Sequence, residues 1–226
     1  LGEAGLPEGW AQMACCNVSL AQKMVTDQRI NFFSFIGSAK VGWHLRSMLS
    51  PGTRMALEHG GAAPVILDET ADIDLLVPKL AKGGFYHSGQ VCVSVQRVFM
   101  LGKQKEEIAS KLGEYADNLT VGNAIDEKTE CGPLIRNSEV DRVESWVTEA
   151  QIGGAKVIAG GRKISNSCYA PTVLLNPPKE AAVSKHEIFG PVISLYESEN
   201  LIEGISQCNS LPFAFQASIF SNNYSK

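Results

Sequence analysis

The side chain best suited to covalent chemistry in this chain is a cysteine close to a glycine. Cys92 lies in the stretch His87-Ser88-Gly89-Gln90-Val91-Cys92-Val93, and a carboxylate, Glu58, occurs earlier in the chain beside Gly60-Gly61. A thiolate is a strong nucleophile, and a carboxylate can deprotonate water. The two residues therefore predict a thiol nucleophile assisted by a carboxylate base.

Local features support Cys92 but leave other interpretations open. Gly89, three residues before the thiol, is expected to let the backbone approach a substrate closely, and the N–H of Cys92 itself could hold a developing oxyanion. A lone cysteine is otherwise typical of a small buried hydrophobic residue, and Glu58 of a solvated strand end. His87 leaves a Cys-His hydrolase as an alternative, although a histidine at a helix end is also typical of a C-terminal cap.

A strand, a tight turn and a helix follow one another early in the chain. Residues 31–36 read as a strand, Gly37-Ser38 as the turn, and Val41, Leu45 and Met48 as the buried face of the helix. Free N–H groups and the positive end of the helix dipole at Ser38 favour an anion there. Because the three spaced glycines of a dinucleotide fingerprint are absent, an ordinary cap stays an alternative.

Cys92 is expected in a loop between a helix and a strand. Asp72 can cap a helix with a regular apolar face that runs out near residues 87–89, and residues 93–100 read as the next strand. A loop on a rigid scaffold can hold a reactive group without burying it.

Along the chain, the spacing of apolar residues alternates between about two, as in strands, and about three to four, as in helices. This alternation predicts an α/β fold. Two more helices are expected around residues 108–119 and 140–150, the second capped by Ser138, and a third at 201–208. The remaining strands are expected at residues 53–57, 64–67, 157–159, 172–175, 192–196 and 215–220.

Composition excludes several classes of protein. A chain of 226 residues with 44% hydrophobic and 19% charged residues can bury one core of ordinary size or two small ones. The net charge of −4 and the lack of a basic run argue against nucleic acid, and no apolar run is long enough for a membrane helix. Six cysteines without C-x-x-C spacing predict reduced thiols in a cytoplasm and no metal site, with Cys15 and Cys16 in a core.

Four segments, in this order, resemble the NAD(P)-dependent aldehyde dehydrogenase family. They are Phe35-Ile36-Gly37-Ser38-Ala39-Lys40-Val41-Gly42, Leu57-Glu58-His59-Gly60-Gly61, Gly89-Gln90-Val91-Cys92 and His186-Glu187-Ile188-Phe189-Gly190-Pro191-Val192. Connecting segments at 5–9, 132–135 and 170–173 are similar as well, so the resemblance covers nearly the whole chain. It implies an open twisted sheet with flanking helices, incomplete at both ends.

The resemblance implies a two-stage reaction. Cys92 would attack the aldehyde carbon, the resulting thiohemiacetal would lose a hydride to the nicotinamide, and a thioester would remain on the sulfur. Glu58 would activate water to hydrolyse that thioester. Branches of the family that pass the acyl group to coenzyme A commonly lack this glutamate, so its presence favours hydrolysis. His59 departs from the leucine more usual in the family and is expected to tune the pocket.

The same resemblance implies a cofactor site for NAD or NADP. Gly37 and Ser38 would meet the pyrophosphate, Glu187 would bind the hydroxyls of the nicotinamide ribose, and Phe189 would pack beside that ribose and ring. The choice between the two cofactors stays open, because the residues that read the adenosine ribose are not in the chain.

Complete members of the family are much longer, which predicts that this chain is a piece. Residues 1–57 would be the end of the dinucleotide-binding domain and residues 58–226 the catalytic domain, truncated at its C-terminal end. The piece alone is expected to show little turnover, and the full-length parent to form a homodimer or homotetramer acting on a small oxygenated aldehyde. A truncated relative that binds or assembles without catalysis is the alternative.

Overall fold

The computed structural model describes residues 1–223 and 225, which form two compact units, Leu1–His59 and Gly60–Lys226. Each unit has its own sheet. The assignment of residues 1–57 and 58–226 to a cofactor domain and a catalytic domain stays a prediction.

The first unit contains a parallel two-stranded sheet and two helices. These elements are α1 (Val18–Val25), β1 (Phe32–Ile36), α2 (Ala39–Arg46) and β2 (Arg54–Glu58). In the register of the two strands, Ile36 pairs with Glu58. The predicted strand, turn and helix are present, and α1, capped by the side chain of Asn17, was not predicted.

Close packing of α2 on the strands changes the helix face that the sequence predicted. A Cβ atom at Gly42 would lie 2.9 Å from Leu57 Cδ2 and 3.1 Å from Phe35 Cδ1, so only a glycine fits at the contact. Gly42 is buried, whereas Val41, predicted on the buried face, is 45% exposed. The prediction for Val41 was wrong because the buried face turns toward the glycine.

The adjacent cysteines near the start of the chain also differ from expectation. Cys15 and Cys16 are exposed, although a core position was predicted. The segment that carries them is irregular and joins no strand in the part of the chain that the structure describes, so nothing covers these side chains within their own unit.

The second unit is a six-stranded sheet with flanking helices, which confirms the predicted α/β class. Its strand order is β5-β6-β7-β4-β3-β8, with β5 and β6 antiparallel and all other pairs parallel. The strands are β3 (Ala63–Leu67), β4 (Val95–Met100), β5 (Lys156–Ala159), β6 (Thr172–Leu175), β7 (Val192–Glu197) and β8 (Ser218–Phe220). The helices are α3 (Ile73–Phe85), α4 (Lys105–Asn118), α5 (Asn137–Ile152), α6 (Ala182–Lys185) and α7 (Leu201–Cys208).

Alternation along the strands sends neighbouring side chains into different cores. Val98 of β4 packs with α3 and α4 in the largest apolar cluster, whereas its neighbour Phe99 packs with Ile66 and Tyr196 in another. A further cluster forms where α5 contributes Val140, Val143 and Val147. Successive residues of a strand face opposite sides of the sheet, so both sides are covered by apolar contacts.

Three details of the element predictions were wrong. Helix α5 begins at Asn137 with Arg136 as its N-cap and no side-chain cap bond, so Ser138 does not cap it. The last strand covers only Ser218–Phe220, and the short helix α6 was not predicted. A four-residue helix is too short to show an apolar period.

Two of the segments that the sequence analysis identified, those of Cys92 and of Glu187-Phe189, lead into neighbouring inner strands of this sheet. In the parallel pair of β4 and β7, Arg97 is opposite Ser194. Cys92 precedes Arg97 by the same number of positions by which Phe189 precedes Ser194. The two segments therefore emerge side by side at the amino ends of neighbouring strands.

Candidate active site

Cys92 occupies a turn between helix α3 and strand β4, as the sequence predicted. The N–H of Ser94 donates to the carbonyl oxygen of Val91 at 2.9 Å, which closes the turn around Cys92. The thiol side chain is half-buried. This tight turn before a central strand holds the backbone of Cys92 in place and leaves part of its side chain accessible.

The turn before the cysteine, Tyr86–Gly89, has an unusual backbone. His87 and Ser88 have φ of 49° and 57°, the left-handed region that non-glycine residues rarely adopt. The N–H of Gln90 donates to the His87 carbonyl at 3.1 Å, and the Ser88 hydroxyl donates to the Gly132 carbonyl at 2.7 Å. These bonds hold a strained backbone just ahead of the proposed nucleophile.

Gln90 ties the cysteine segment to the connection at residues 132–135. Its Nε2 donates to the Pro133 carbonyl at 3.2 Å, and its Oε1 accepts the N–H of Ile135 at 2.9 Å. The sequence connected these two stretches only through their family-like character, and the structure shows that one side chain joins them.

Gly89 has a structural role that the sequence did not predict. A Cβ atom there would overlap the carbonyl oxygen of Gly190, and φ at Gly89 is +71°. The close approach that the structure shows is therefore to the backbone of the segment that carries Glu187 and Phe189. The approach to a substrate stays a prediction. The absent side chain is what lets these two segments meet.

Glu187 and Phe189 lie on either side of the buried Ile188. A Cβ atom at Gly60 would overlap the carboxylate of Glu187, so the glycine after the Glu58-His59 pair makes room for that group. Phe189 is 42% exposed with φ of 45°. It borders an open cleft of about 650 Å³ that Ser88 and Pro133 also line.

In the first unit, the predicted turn for the pyrophosphate and the predicted base are neighbours. The N–H of Gly37 donates to the carbonyl oxygen of Glu58 at 3.2 Å, and the Glu58 side chain is exposed. Ser38 caps α2 through a long bond of 3.5 Å from Val41 N to its Oγ. Ser38 follows the carboxyl end of β1 and Glu58 is the last residue of β2, and the carboxyl ends of parallel strands are where open α/β sheets bind ligands.

The predicted residues thus fall into two groups. Gly37, Ser38 and Glu58 are neighbours in the first unit. The segments of Cys92, Glu187 and Phe189 are neighbours in the second unit, at the amino ends of β4 and β7.

Sequence reasoning missed two polar side chains that bind the backbone of the Glu187-Phe189 segment. Gln96 is only 3% exposed and accepts the N–H of Ile188 at 2.9 Å, and Arg142 donates to the carbonyl oxygen of Ile188 at 2.6 Å. Gln96 stands beside Arg97 in a strand whose other residues are apolar, and this was the available signal, because buried polar groups require partners.

Two other thiols of this unit are poorly suited to nucleophilic chemistry. Burial raises the pKa of the Cys131 thiol, which is fully buried and donates to Ser88 Oγ. Burial also raises the pKa of Cys208. Among the described residues no cluster of three metal-ligating side chains occurs, and no described helix is long and apolar enough to span a membrane.

Comparison with known proteins matches the whole chain to one family. The sequence model of the aldehyde dehydrogenase family matches residues 1–226. The chain is 35% identical over 223 residues to 3-sulfolactaldehyde dehydrogenase of Priestia megaterium, covering 98% of this chain and 46% of that protein. It is 35% identical over 207 residues to lactaldehyde dehydrogenase of Methanococcus vannielii, covering 92% and 44%. It spans about half the length of these curated relatives.

Solved structures agree in fold. An NADP-dependent glyceraldehyde-3-phosphate dehydrogenase from Bacillus halodurans, complexed with NADP, superposes with a TM-score of 0.94 at 27% identity and covers 99% of this chain and 47% of its own. A betaine aldehyde dehydrogenase from Staphylococcus aureus, in complex with NAD+, gives a TM-score of 0.85 at 27% identity, with coverages of 91% and 42%.

Proposed function

The chain belongs to the aldehyde dehydrogenase family, and from that membership we propose that the full-length protein oxidises an aldehyde to a carboxylic acid with NAD+ or NADP+. Residues 1–57 would close the cofactor domain, and residues 58–226 would form most of the catalytic domain. The observation that carries the proposal is the packing of the Cys92 segment on the Glu187-Phe189 segment through Gly89 and Gly190. It joins a nucleophile to the residues proposed to hold the nicotinamide end.

Cys92 is the proposed nucleophile. Its thiolate attacks the aldehyde carbon and forms a thiohemiacetal, whose oxyanion the N–H of Cys92 helps to stabilise. When bound, NAD(P)+ supplies the hydride acceptor. Loss of the hydride from the carbon of this oxyanion lets the oxygen form the C=O bond and leaves a thioester on the sulfur. The turn that Ser94 and Val91 close fits this role because it keeps the sulfur in one place.

Glu58 is the proposed base for the second stage. It takes a proton from water, and the water oxygen adds to the thioester carbon. Collapse of the adduct breaks the C–S bond and releases the acid and the Cys92 thiolate, and the proton held by Glu58 passes to solvent, which restores the carboxylate. Its exposure at the end of β2 leaves the carboxylate accessible to water. The presence of this base favours hydrolysis over transfer of the acyl group to coenzyme A.

The residues present fit a dinucleotide. Gly37 and Ser38 stand at the N-terminus of α2, where free N–H groups favour a pyrophosphate. Glu187 is proposed to bind the ribose hydroxyls, and Phe189, exposed at the cleft, to pack beside the ribose and nicotinamide. Structural neighbours hold NAD+ in one case and NADP in another, so the proposal includes both cofactors.

The proposed substrate is a small oxygenated aldehyde. Two relatives at 35% identity are named for 3-sulfolactaldehyde and lactaldehyde, which supports this class. The proposed assembly is a homodimer or homotetramer. A reducing compartment such as the cytoplasm would keep all six cysteines as thiols.

The test is an assay of the full-length gene product against small oxygenated aldehydes, phosphorylated aldehydes and semialdehydes, with each cofactor separately. The proposal expects reduction of one or both cofactors coupled to acid release. A folded full-length protein that reduces neither cofactor with any aldehyde would contradict it and would favour a non-catalytic binding or assembly role.

A further inference from the structure

The peptide of Ile188 is held on both sides by side chains from other elements. Gln96 Oε1 on β4 accepts its N–H at 2.9 Å, and Arg142 Nη2 on α5 donates to its carbonyl oxygen at 2.6 Å. The Ile188 side chain is itself buried. The residue between Glu187 and Phe189 therefore has both of its backbone polar groups committed.

Gln96 makes more than this one bond. Its Nε2 donates to the carbonyl oxygens of His186 at 2.6 Å and Val183 at 3.0 Å. With the bond from Ile188, one buried amide fixes three points of the segment 183–188 to strand β4. Removing it would leave two carbonyl oxygens and one N–H without their partner, which is unfavourable in a buried site.

Contacts within helix α5 orient the Arg142 side chain toward the segment 183–188. Its Nε donates to Glu139 Oε2 at 2.8 Å, and its guanidinium lies 4.7 Å from the centroid of the Trp146 ring. The Trp146 ring in turn lies 5.8 Å from the ring of His186. Helix α5 thus supports the segment through a charged side chain that is already in place.

The held backbone is a strained one. Phe189, directly after Ile188, has φ of 45°, a conformation that a bulky residue keeps only when its surroundings impose it. Gly190 follows, and a Cβ atom there would lie 2.7 Å from Val143 Cγ2. The contacts to Ile188 and Gly190 are what prevent the chain from relaxing at Phe189.

We propose that Gln96 and Arg142 are positioning residues that set Glu187 and Phe189 for the nicotinamide ribose. The proposal rests on the function proposed above. Strand β4 also begins just after Cys92. The same strand therefore positions the backbone of the proposed nucleophile and, through Gln96, the segment proposed to hold the cofactor. Loss of either side chain weakens cofactor binding, while the intrinsic reactivity of the Cys92 thiol stays.

The test compares Gln96→Met, Arg142→Met and Arg142→Lys in the full-length gene product. The dissociation constant of NADH or NADPH is measured by fluorescence titration, and the rate of Cys92 alkylation by iodoacetamide is measured without cofactor. Both methionine variants are expected to weaken cofactor binding about tenfold or more. Arg142→Lys keeps a donor for Ile188 and is expected to restore part of the loss, and alkylation is expected to change less than threefold.

Thr172→Val is the matched control. It removes a buried hydroxyl that donates to the Ala170 carbonyl at 2.7 Å and accepts from Gly161 N at 2.9 Å, without touching residues 183–189. Cofactor binding equal to wild type in both methionine variants would overturn the proposal, and so would an equal loss in Thr172→Val. A wild-type protein that binds neither cofactor would instead contradict the proposed function. If Gln96→Met does not fold, the methionine and lysine variants of Arg142 decide alone.

Discussion

The backbone N–H of Gly37 donates to the carbonyl oxygen of Glu58 at 3.2 Å, so the turn proposed for the pyrophosphate and the proposed base share one hydrogen bond. The bond continues the parallel register in which Ile36 pairs with Glu58. A displacement of one residue is therefore transmitted to the other through the backbone. The side chain of Glu58, in contrast, can be changed without breaking this bond.

Glu58→Gln in the full-length protein is expected to separate the two stages of the reaction. The amide cannot take a proton from water, so steady-state turnover is expected to fall by about 10² to 10⁴. The first hydride transfer needs only the thiol and the cofactor, so a burst of reduced cofactor close to one per active site is expected. Rapid-mixing absorbance measurements give both quantities.

Glu106→Gln, an equally conservative change at an exposed position of α4, is the control and is expected to behave like wild type. Steady-state turnover of Glu58→Gln within threefold of wild type would remove Glu58 from the mechanism.

Gly89→Ala is expected to disturb both stability and the site. Its Cβ atom would overlap the Gly190 carbonyl, and the left-handed φ adds strain. We expect the free energy of unfolding to fall by about 2–4 kcal/mol, since overpacking and backbone strain each contribute about 1–3 kcal/mol. Denaturant titration followed by tryptophan fluorescence measures the change.

Gly154→Ala isolates the strain from the overlap. Gly154 also has positive φ, +107°, but a Cβ atom there meets nothing within 4 Å. This variant is expected to lose only about 1 kcal/mol. Equal losses in the two variants would show that the contact between Gly89 and Gly190 contributes nothing.

Much of the fold could be predicted because local signals agree with tertiary structure. The helix beginning after Asp72 follows the expected apolar face, and Asp72 Oδ1 accepts the N–H of Leu75 as predicted. Val41 was misplaced because periodicity counts apolar side chains, whereas the closest contact of α2 is made by Gly42, which has none.

The candidate site was predictable only in part. The thiol of Cys92 and the carboxylate of Glu58 suggest roles, but only the four family-like segments together favoured those roles over a buried cysteine and a solvated strand end. Gln96 and Arg142 act through backbone groups of a segment distant in sequence, and no spacing rule connects them to Ile188. The contact of Gly89 with Gly190 was missed because a sequence cannot show which backbone fills the space that a glycine leaves.

Tyr169→Phe is expected to stabilise the protein and to change its response to alkali. The ring is 1% exposed, and its hydroxyl has no hydrogen-bond partner among the described residues. Removing a buried, unpaired hydroxyl is expected to raise the free energy of unfolding by about 1 kcal/mol at neutral pH.

The direction of the pH effect follows from the raised pKa. Burial raises the pKa of Tyr169 above its ordinary value of 10.0, so the folded state keeps a proton that the unfolded state releases. Titration of this group leaves the free energy of unfolding unchanged below pH 10.0 and lowers it as the pH rises from there toward the folded-state pKa. Thermal unfolding at pH 8 and at about pH 11 is expected to show a smaller alkaline loss in Tyr169→Phe than in wild type. An identical loss in both proteins would contradict the assignment.

The central claim is that Cys92 carries the acyl group. The decisive measurement is mass spectrometry of the full-length Glu58→Gln protein, quenched with acid during turnover with an aldehyde and the preferred cofactor, then digested with trypsin. Cleavage after Lys82 and Arg97 gives a peptide in which Cys92 is the one cysteine. We predict that the acyl mass is on this peptide and that it is absent when Cys92→Ala is added. An acyl group on a peptide containing Cys131, Cys168 or Cys208, or a label that survives Cys92→Ala, would contradict the account.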